Sequence, residues 1–381
     1  MPAASALVPL WDRASEWQRR LAMVRDARHF LYLTTFYIEY DAYGAGMLDA
    51  LINARRRGVA VQLVIDAFGQ RLGGVLMTAS ERAALAGRLG ALRNAGGDVM
   101  FYRPPRVAQR LLGGGQHVKI QVSDAGEAIF GSSNLTRSSF EGWNEFSVAV
   151  RGSVVRALLE SVSALGGAAR AEDLARLGSL EEPGDTPCDY WFCNPNDGQG
   201  LWGPLGWRGT NAITDGLCQV IDRATREVRL TSFYFKPVGP LMDAVLRAAR
   251  RGVHVEIHHS HRDALPATDL AWIAAAAGYV PLLDAGVDIY ENQRGEHSKI
   301  VVIDDAWTAF GSYNFEDAAH DRLAEAMIVT HDSRAVAMAR GLLDGLRAQP
   351  HNVRVTQDTF GALPDRLRRR VRWLGRFKRW M

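Results

Sequence analysis

Two stretches of this 381-residue chain carry the same reactive side chains at the same spacing, 180 residues apart. The first is His117, Lys119, Asp124, Gly131, Ser132 and Asn134; the second is His297, Lys299, Asp304, Gly311, Ser312 and Asn314. Only four lysines occur, at 119, 236, 299 and 378, and two of them fall in this pattern. With lysine at about one per cent, the chain's histidines would meet an HxK by accident roughly a tenth of one time, before Asp and GSxN are required. The set suits an anionic phosphodiester. Lysine sets compact positive charge against nonbridging oxygens, while serine and asparagine donate hydrogen bonds where transition-state charge develops. One copy lacks a second acid-base group. Two copies face to face supply a nucleophilic imidazole on one side of phosphorus and a proton donor for the leaving oxygen on the other, with no metal or other cofactor.

Glu145 and Glu325 each lie 28 residues beyond their histidine, and an acid there fixes the imidazole tautomer and strengthens its free nitrogen. Catalytic candidates are therefore His117, Lys119, Asn134, Glu145, His297, Lys299, Asn314 and Glu325. Asp124, Asp304, Ser132 and Ser312 are expected to support them, the aspartates by turn capping or hydrogen bonds between domains.

Around both copies the chain repeats a larger unit. His29 to Tyr37 and Glu227 to Phe235 read as strands rich in β-branched and aromatic residues. Each leads to a helix, with Met47, Leu48, Leu51 and Ala54 or Leu241, Val245 and Ala248 at helical spacing, then to Arg-Arg-Gly. Gly58 and Gly252 fit left-handed helix ends, and alternating strands follow from Val59 and Val253. Further on, period-two alternation puts His117 and Lys119 on one strand face and Val118 and Ile120 on the other. The expected fold is α/β: two tandem similar domains, each a mixed sheet flanked by helices, packed with pseudo-twofold symmetry about an active site at their interface. The expected bounds are 1–170, a linker at 171–190, 191–350, and a basic tail at 363–381.

HVKIQVSDAGEAIFGSSN and HSKIVVIDDAWTAFGSYN resemble the two HKD motifs of the phospholipase D superfamily. Within it, TSFYFKP, LLDAGVDIYE and FGSYNF are similar to bacterial cardiolipin synthase-type phosphatidyltransferases. The first half also keeps the Arg137-Ser138 and Asn144-Glu145 pairs of that pattern, whereas the second keeps only Glu325. The resemblance implies a covalent phosphohistidine, with His117 as nucleophile and His297 as general acid. The residues themselves leave that order open. They equally leave open whether the acceptor is a lipid hydroxyl or water, so a hydrolytic phospholipase D or nuclease shares the site chemistry. A catalytically inactive membrane-surface protein is the alternative of another class.

Residues 366 to 381 hold eight basic side chains and no acid, interleaved with apolar residues at helical spacing. Such a helix suits an anionic membrane surface through Arg368, Arg369, Arg370, Arg372, Trp373, Phe377, Lys378 and Trp380. Alternatively its apolar stripe docks on the protein core. Without this tail 37 basic residues face 42 acidic ones, so a nucleic-acid partner is not expected. Phospholipids are the expected substrates; the oligomeric state stays open. No uninterrupted apolar run of about 18 residues occurs, nor a signal-peptide pattern at the start. The expected location is cytoplasmic, bound peripherally to the inner face of the cell membrane. Trp191, Trp202 and Trp207 punctuate a Gly/Pro-rich segment that would be a lid or a cover for the domain junction, and His258, His259 and His261 end a strand with few acids nearby.

Overall fold

The strand Phe30–Thr35, six buried residues in a row, lies inside the first sheet, where its parallel and antiparallel parts meet. It pairs in parallel with Ala60–Asp66, which pairs in parallel with Asp98–Tyr102. Parallel neighbours need crossovers, and helices Ala42–Arg56 and Ala79–Asn94 supply them. The first starts where the Asp41 carboxylate accepts the Tyr43 and Gly44 N–H groups, and ends before Gly58, whose φ of +94° demands glycine. On its other side Phe30–Thr35 meets Lys119–Ser123, followed by Glu127–Gly131, Ser147–Arg151 and Ala6–Leu10, all antiparallel.

In the computed structural model, which describes residues 2–180, 184–197, 210–265 and 268–380, the second half repeats this order. Glu227–Thr231, His254–Ser260 and Asp288–Asn292 are parallel, and Ile300–Ile303, Trp307–Gly311 and Leu323–Thr330 continue the sheet antiparallel on the other side. Thr186–Cys193 then pairs with Leu323–Thr330, the place that Ala6–Leu10 fills in the first half.

That last pairing begins inside the expected linker, 171–190. The segment placed between the domains contains helix Ala171–Ser179, whose Leu177 is buried and whose Asp173 accepts a 2.6 Å hydrogen bond from the Tyr32 hydroxyl, and then most of a sheet strand. Its Pro/Gly/acidic composition marks only the few residues between these two elements. The second half opens at Thr186.

The sheets pack against one another through their apolar parity. Val118, Ile120, Val122 and Phe130 from one and Ile300, Val302 and Phe310 from the other form a single buried cluster with helices Val154–Ala164 and Ser333–Arg347. Phe146 and Phe310 meet edge to face across it at 5.6 Å. Burying such a side chain contributes about 1.5–3 kcal/mol, so this core holds the halves as one body.

The tail helix, Asp365–Leu374, lies on the second half. Leu367 and Val371 are buried in its core and Leu374 packs beside them, which is the docked alternative for the apolar stripe. Arg368 pairs with Asp365 and Arg370 with Asp269, while Lys378 donates to the Pro237 carbonyl at 2.8 Å. Arg369, Arg372, Trp373 and Phe377 remain exposed, and the Trp380 side chain lies outside the described residues. The stripe expected to sink into lipid is thus consumed by the protein, because a helix with two buried aliphatic positions finds a partner surface within its own chain.

Candidate active site

Each candidate catalytic histidine sits just ahead of a central strand, on a segment that crosses into the other half. The His117 N–H donates to the Ala324 carbonyl at 2.8 Å and the His297 N–H to the Asn144 carbonyl at 2.8 Å. Gly115–Gln116 extends this by pairing in parallel with Leu323 and Ala324, and Glu296 bridges to Asn144 in the same sense. The contacts are reciprocal, as a twofold relation requires. They leave no room at the crossing: a Cβ on Gly115 would stand 2.7 Å from the Asp66 carboxylate, and one on Gly295 would strike Trp143.

The side chains cross as well. His117 Nδ1 lies 3.0 Å from Glu325 Oε1 and 3.1 Å from the Ser312 carbonyl; His297 Nδ1 lies 2.8 Å from Glu145 Oε2. The glutamates were expected beside the histidine of their own half. They serve the opposite one, because each follows its own GSxN turn, whose serine locks the turn to the glutamate's strand. Ser132 Oγ accepts the Phe146 N–H at 2.9 Å, and Ser312 Oγ accepts the Ala326 N–H at 3.0 Å. Ser312 also donates to Glu325, and Ser139 donates to Glu145 at 2.7 Å. A glutamate on each Nδ1 fixes the ring's orientation and turns Nε2 towards the site.

Lys119 Nζ donates to the His117 carbonyl at 2.7 Å, and Lys299 does the same for His297. Burial is the main force on both. It pushes Lys299 down to about 8 and, with the Lys299 charge nearby, takes Lys119 well below the ordinary lysine range. Burial likewise lowers His297 to about 4 and, with both lysines nearby, holds His117 well below the ordinary histidine range. The carboxyls part company. Burial pushes both up, but His297 and Lys299 outweigh it at Glu145 and hold it at about 2, while Glu325 stays well above the carboxylate range. An anionic phosphate is what two buried, destabilised ammonium groups lack.

The asparagines border this centre. Asn134 Oδ1 lies 3.4 Å from Thr35 Oγ1, and Asn314 accepts from the Phe233 N–H at 3.4 Å and donates to Glu316 at 3.3 Å. Asp124 and Asp304 do not join it. Asp124 accepts the Arg28 N–H at 3.0 Å, and Asp304 accepts the N–H groups of Thr225, Arg226 and Glu227, so both cap the turn before a central strand.

Several contributors were missed. Phe36 and Phe233 stand edge-on to His117 and His297 at 4.8 and 4.7 Å; the repeated Phe-Tyr after each first strand carried that signal. Trp143 stacks on His297 at 5.1 Å and has Leu323 in its place in the other half, so repetition could not reveal it. Buried Lys236, 3.2 Å from Glu316, also adjoins Asn314 through that glutamate. The three clustered histidines are held by the protein instead: His258 by Glu256 at 2.9 Å and Asn352, His259 by Tyr279 at 2.7 Å. Trp191 packs on Trp307 at 5.8 Å, covering the second half; Trp202 and Trp207 lie outside the described residues.

A family model described as "Cardiolipin synthase, PLD-like domain" matches residues 21–163 and 217–345. The chain belongs to this family. It is an enzyme of the phospholipase D superfamily, akin to the cardiolipin synthases. Cardiolipin synthase B of Salmonella typhimurium is 26% identical over 348 residues, 85% of this chain and 76% of that protein. Cardiolipin synthase B of Escherichia coli K12 is 26% identical over 350 residues, with the same coverage. In fold, the phospholipase D-like pair matches phosphatidylserine synthase of Haemophilus influenzae with a TM-score of 0.73 and 15% identity, covering 100% of this chain and 96% of that one.

Proposed function

We propose that the protein is a phosphatidyltransferase of cardiolipin-synthase type, working from the inner face of the cell membrane on phospholipid substrates. The observation that carries this reading is the pair of buried imidazoles, each with its Nδ1 on a glutamate of the opposite half and flanked by a lysine. His117 Nε2 attacks phosphorus, the bond to the departing alcohol oxygen breaks, and His297 gives that oxygen its proton. The acceptor hydroxyl then loses its proton to His297 and attacks phosphorus, and the phosphorus–nitrogen bond breaks. Lys119 and Lys299 neutralise the nonbridging oxygens throughout.

His117 is assigned as the nucleophile because the Trp143 stack and the Glu145 carboxylate on His297 favour a proton there. The relatives' names support a lipid acceptor, and the acidic body of the chain disfavours nucleic acid. Peripheral attachment accords with the exposed Arg369, Arg372 and Arg376 of the tail, and among the described residues no helix is long and apolar enough to cross a membrane. Purified protein should convert phosphatidylglycerol vesicles to cardiolipin and glycerol, and His117→Ala should do neither nor trap a phosphoenzyme. Phosphatidic acid accumulating in place of cardiolipin would make it a hydrolase.

A further inference from the structure

The helix Ala67–Leu76 is built inside out. Its buried positions are Gly69 and Gly73, and a Cβ on either would collide with Phe36 or Tyr37. Its large apolar residues Leu72, Val75 and Leu76 point to solvent, Val75 at 73% exposure. The short helix Val107–Leu111 is inverted in the same way. It buries Gln109, which donates to the Asn196 carbonyl at 3.1 Å, and exposes Val107 and Leu111 at 64% and 81%.

The two helices share one place in the fold. A Cβ on Gly113, just past the second helix, would lie 3.1 Å from the Phe68 ring of the first. That place is the mouth of the site, since Gly69 packs on Phe36, whose ring stands 4.8 Å from His117. In the second half the corresponding strand His254–Ser260 runs instead into the 3-10 turn Arg262–Ala264. Segments 67–76 and 103–112 also carry four exposed arginines, Arg71, Arg103, Arg106 and Arg110, and no acid.

We infer that this rim is the surface by which the enzyme sits on an anionic phospholipid bilayer, its apolar residues entering the acyl boundary and its arginines meeting headgroups. In water an outward apolar face on two adjoining helices has no purpose. At a bilayer it is an interfacial contact, with cations around an apolar wedge. A second copy of the chain fits poorly, because a self-complementary contact would bring both sets of arginines together without an acid. The rim lies at the cleft, where Gly69 packs on Phe36 beside His117, so the rim delivers lipid to that histidine. The inference deepens the proposed activity and rests on it for the identity of the substrate.

The test is Leu72→Ser/Val75→Ser/Val107→Ser/Leu111→Ser, checked for native circular dichroism and sedimented with phosphatidylglycerol vesicles. Binding and turnover of vesicle lipid should fall by roughly tenfold or more, and turnover of dihexanoyl phosphatidylglycerol, dispersed as monomers, should stay within about twofold. Leu180→Ser/Val353→Ser, which removes exposed apolar residues elsewhere, should change neither. Unaltered vesicle binding would overturn the inference, as would equal loss on both substrates. Light scattering that shows a dimer lost in the quadruple variant would make the rim a self-association face and overturn it too. If no lipid is turned over at all, the proposed activity fails, while vesicle binding still decides the rim.

Discussion

The two candidate catalytic histidines hold equivalent positions in equivalent halves, yet their surroundings differ. His117 has Phe36 at its edge and is paired with Glu325, whose carboxyl burial pushes well above the ordinary carboxylate range. His297 has Phe233 at its edge, Trp143 stacked on its face, and a glutamate held ionised at about 2. Gln116 precedes one and Glu296, pushed up by burial to about 8, precedes the other. Duplication fixes the frame, and divergence around it separates the roles. In the proposed mechanism His117 attacks as the neutral imidazole and His297 carries the proton. An imidazole that must carry a proton is helped by an indole face and a carboxylate.

The widest break in that comparison comes from the leaving group. With phosphatidylglycerol, His117→Ala and His297→Ala should each lower kcat by about 10³–10⁴-fold. A p-nitrophenyl phosphodiester departs without a proton, so there His297→Ala should recover to within roughly tenfold of the parent and His117→Ala should not. The opposite outcome would exchange the two assignments. Next in size, Glu145→Gln and Glu325→Gln should each cost about 10–100-fold. Because the carboxylates cross, Glu325→Gln should show the leaving-group pattern of His117→Ala, and Glu145→Gln that of His297→Ala. Pairing within each half would reverse this.

The site's basic limb gives a third measurement. Lys299, at about 8 in the fold against 10.5 ordinarily, loses its charge as pH rises through about 8, so turnover should fall there. Between those values the unfolded chain binds a proton that the folded one does not, so this group's contribution to stability rises with pH. Activity should therefore drop above pH 8 with no matching drop in Tm from this lysine.

Much of this was legible. The motif spacing picked out both histidines and lysines, and strand parity set Val118 and Ile120 on the face opposite them, which the structure buries against the other sheet. Gly58 and Gly252, at φ +94° and +86°, ended helices where Arg-Arg-Gly placed them. What stayed hidden was contact between halves. A glutamate 28 residues from its histidine looks local, and nothing in one strand's alternation says that Glu325 reaches His117. The strand at Thr186–Cys193 stayed hidden for a related reason, since it is a strand only because Leu323–Thr330 supplies its partner.

A smaller effect tests the indole. Trp143→Leu should lower kcat on lipid by about three- to tenfold, as expected for losing a partly desolvated cation-π contact, and leave the nitrophenyl ester unaffected. Trp143→Phe should restore most of it. Equal losses on both substrates would mean that the indole only packs the crossing at Gly295.

The aspartates should move activity least. Asp304 gathers three backbone N–H groups and sits at φ 49°, a left-handed position, whereas Asp124 takes the N–H of Arg28 alone. Removing a carboxylate that caps several donors at a partly exposed turn costs roughly 1–2 kcal/mol, and one that caps a single donor less. Asp304→Ala should therefore lower Tm more than Asp124→Ala, and Asp304→Asn, which tolerates the left-handed backbone, should recover part of the difference. Per folded molecule, kcat should match the parent in all three. A fall in kcat with Tm unchanged would put an aspartate into the chemistry and remove the distinction between residues that hold the central strand and residues that act at phosphorus.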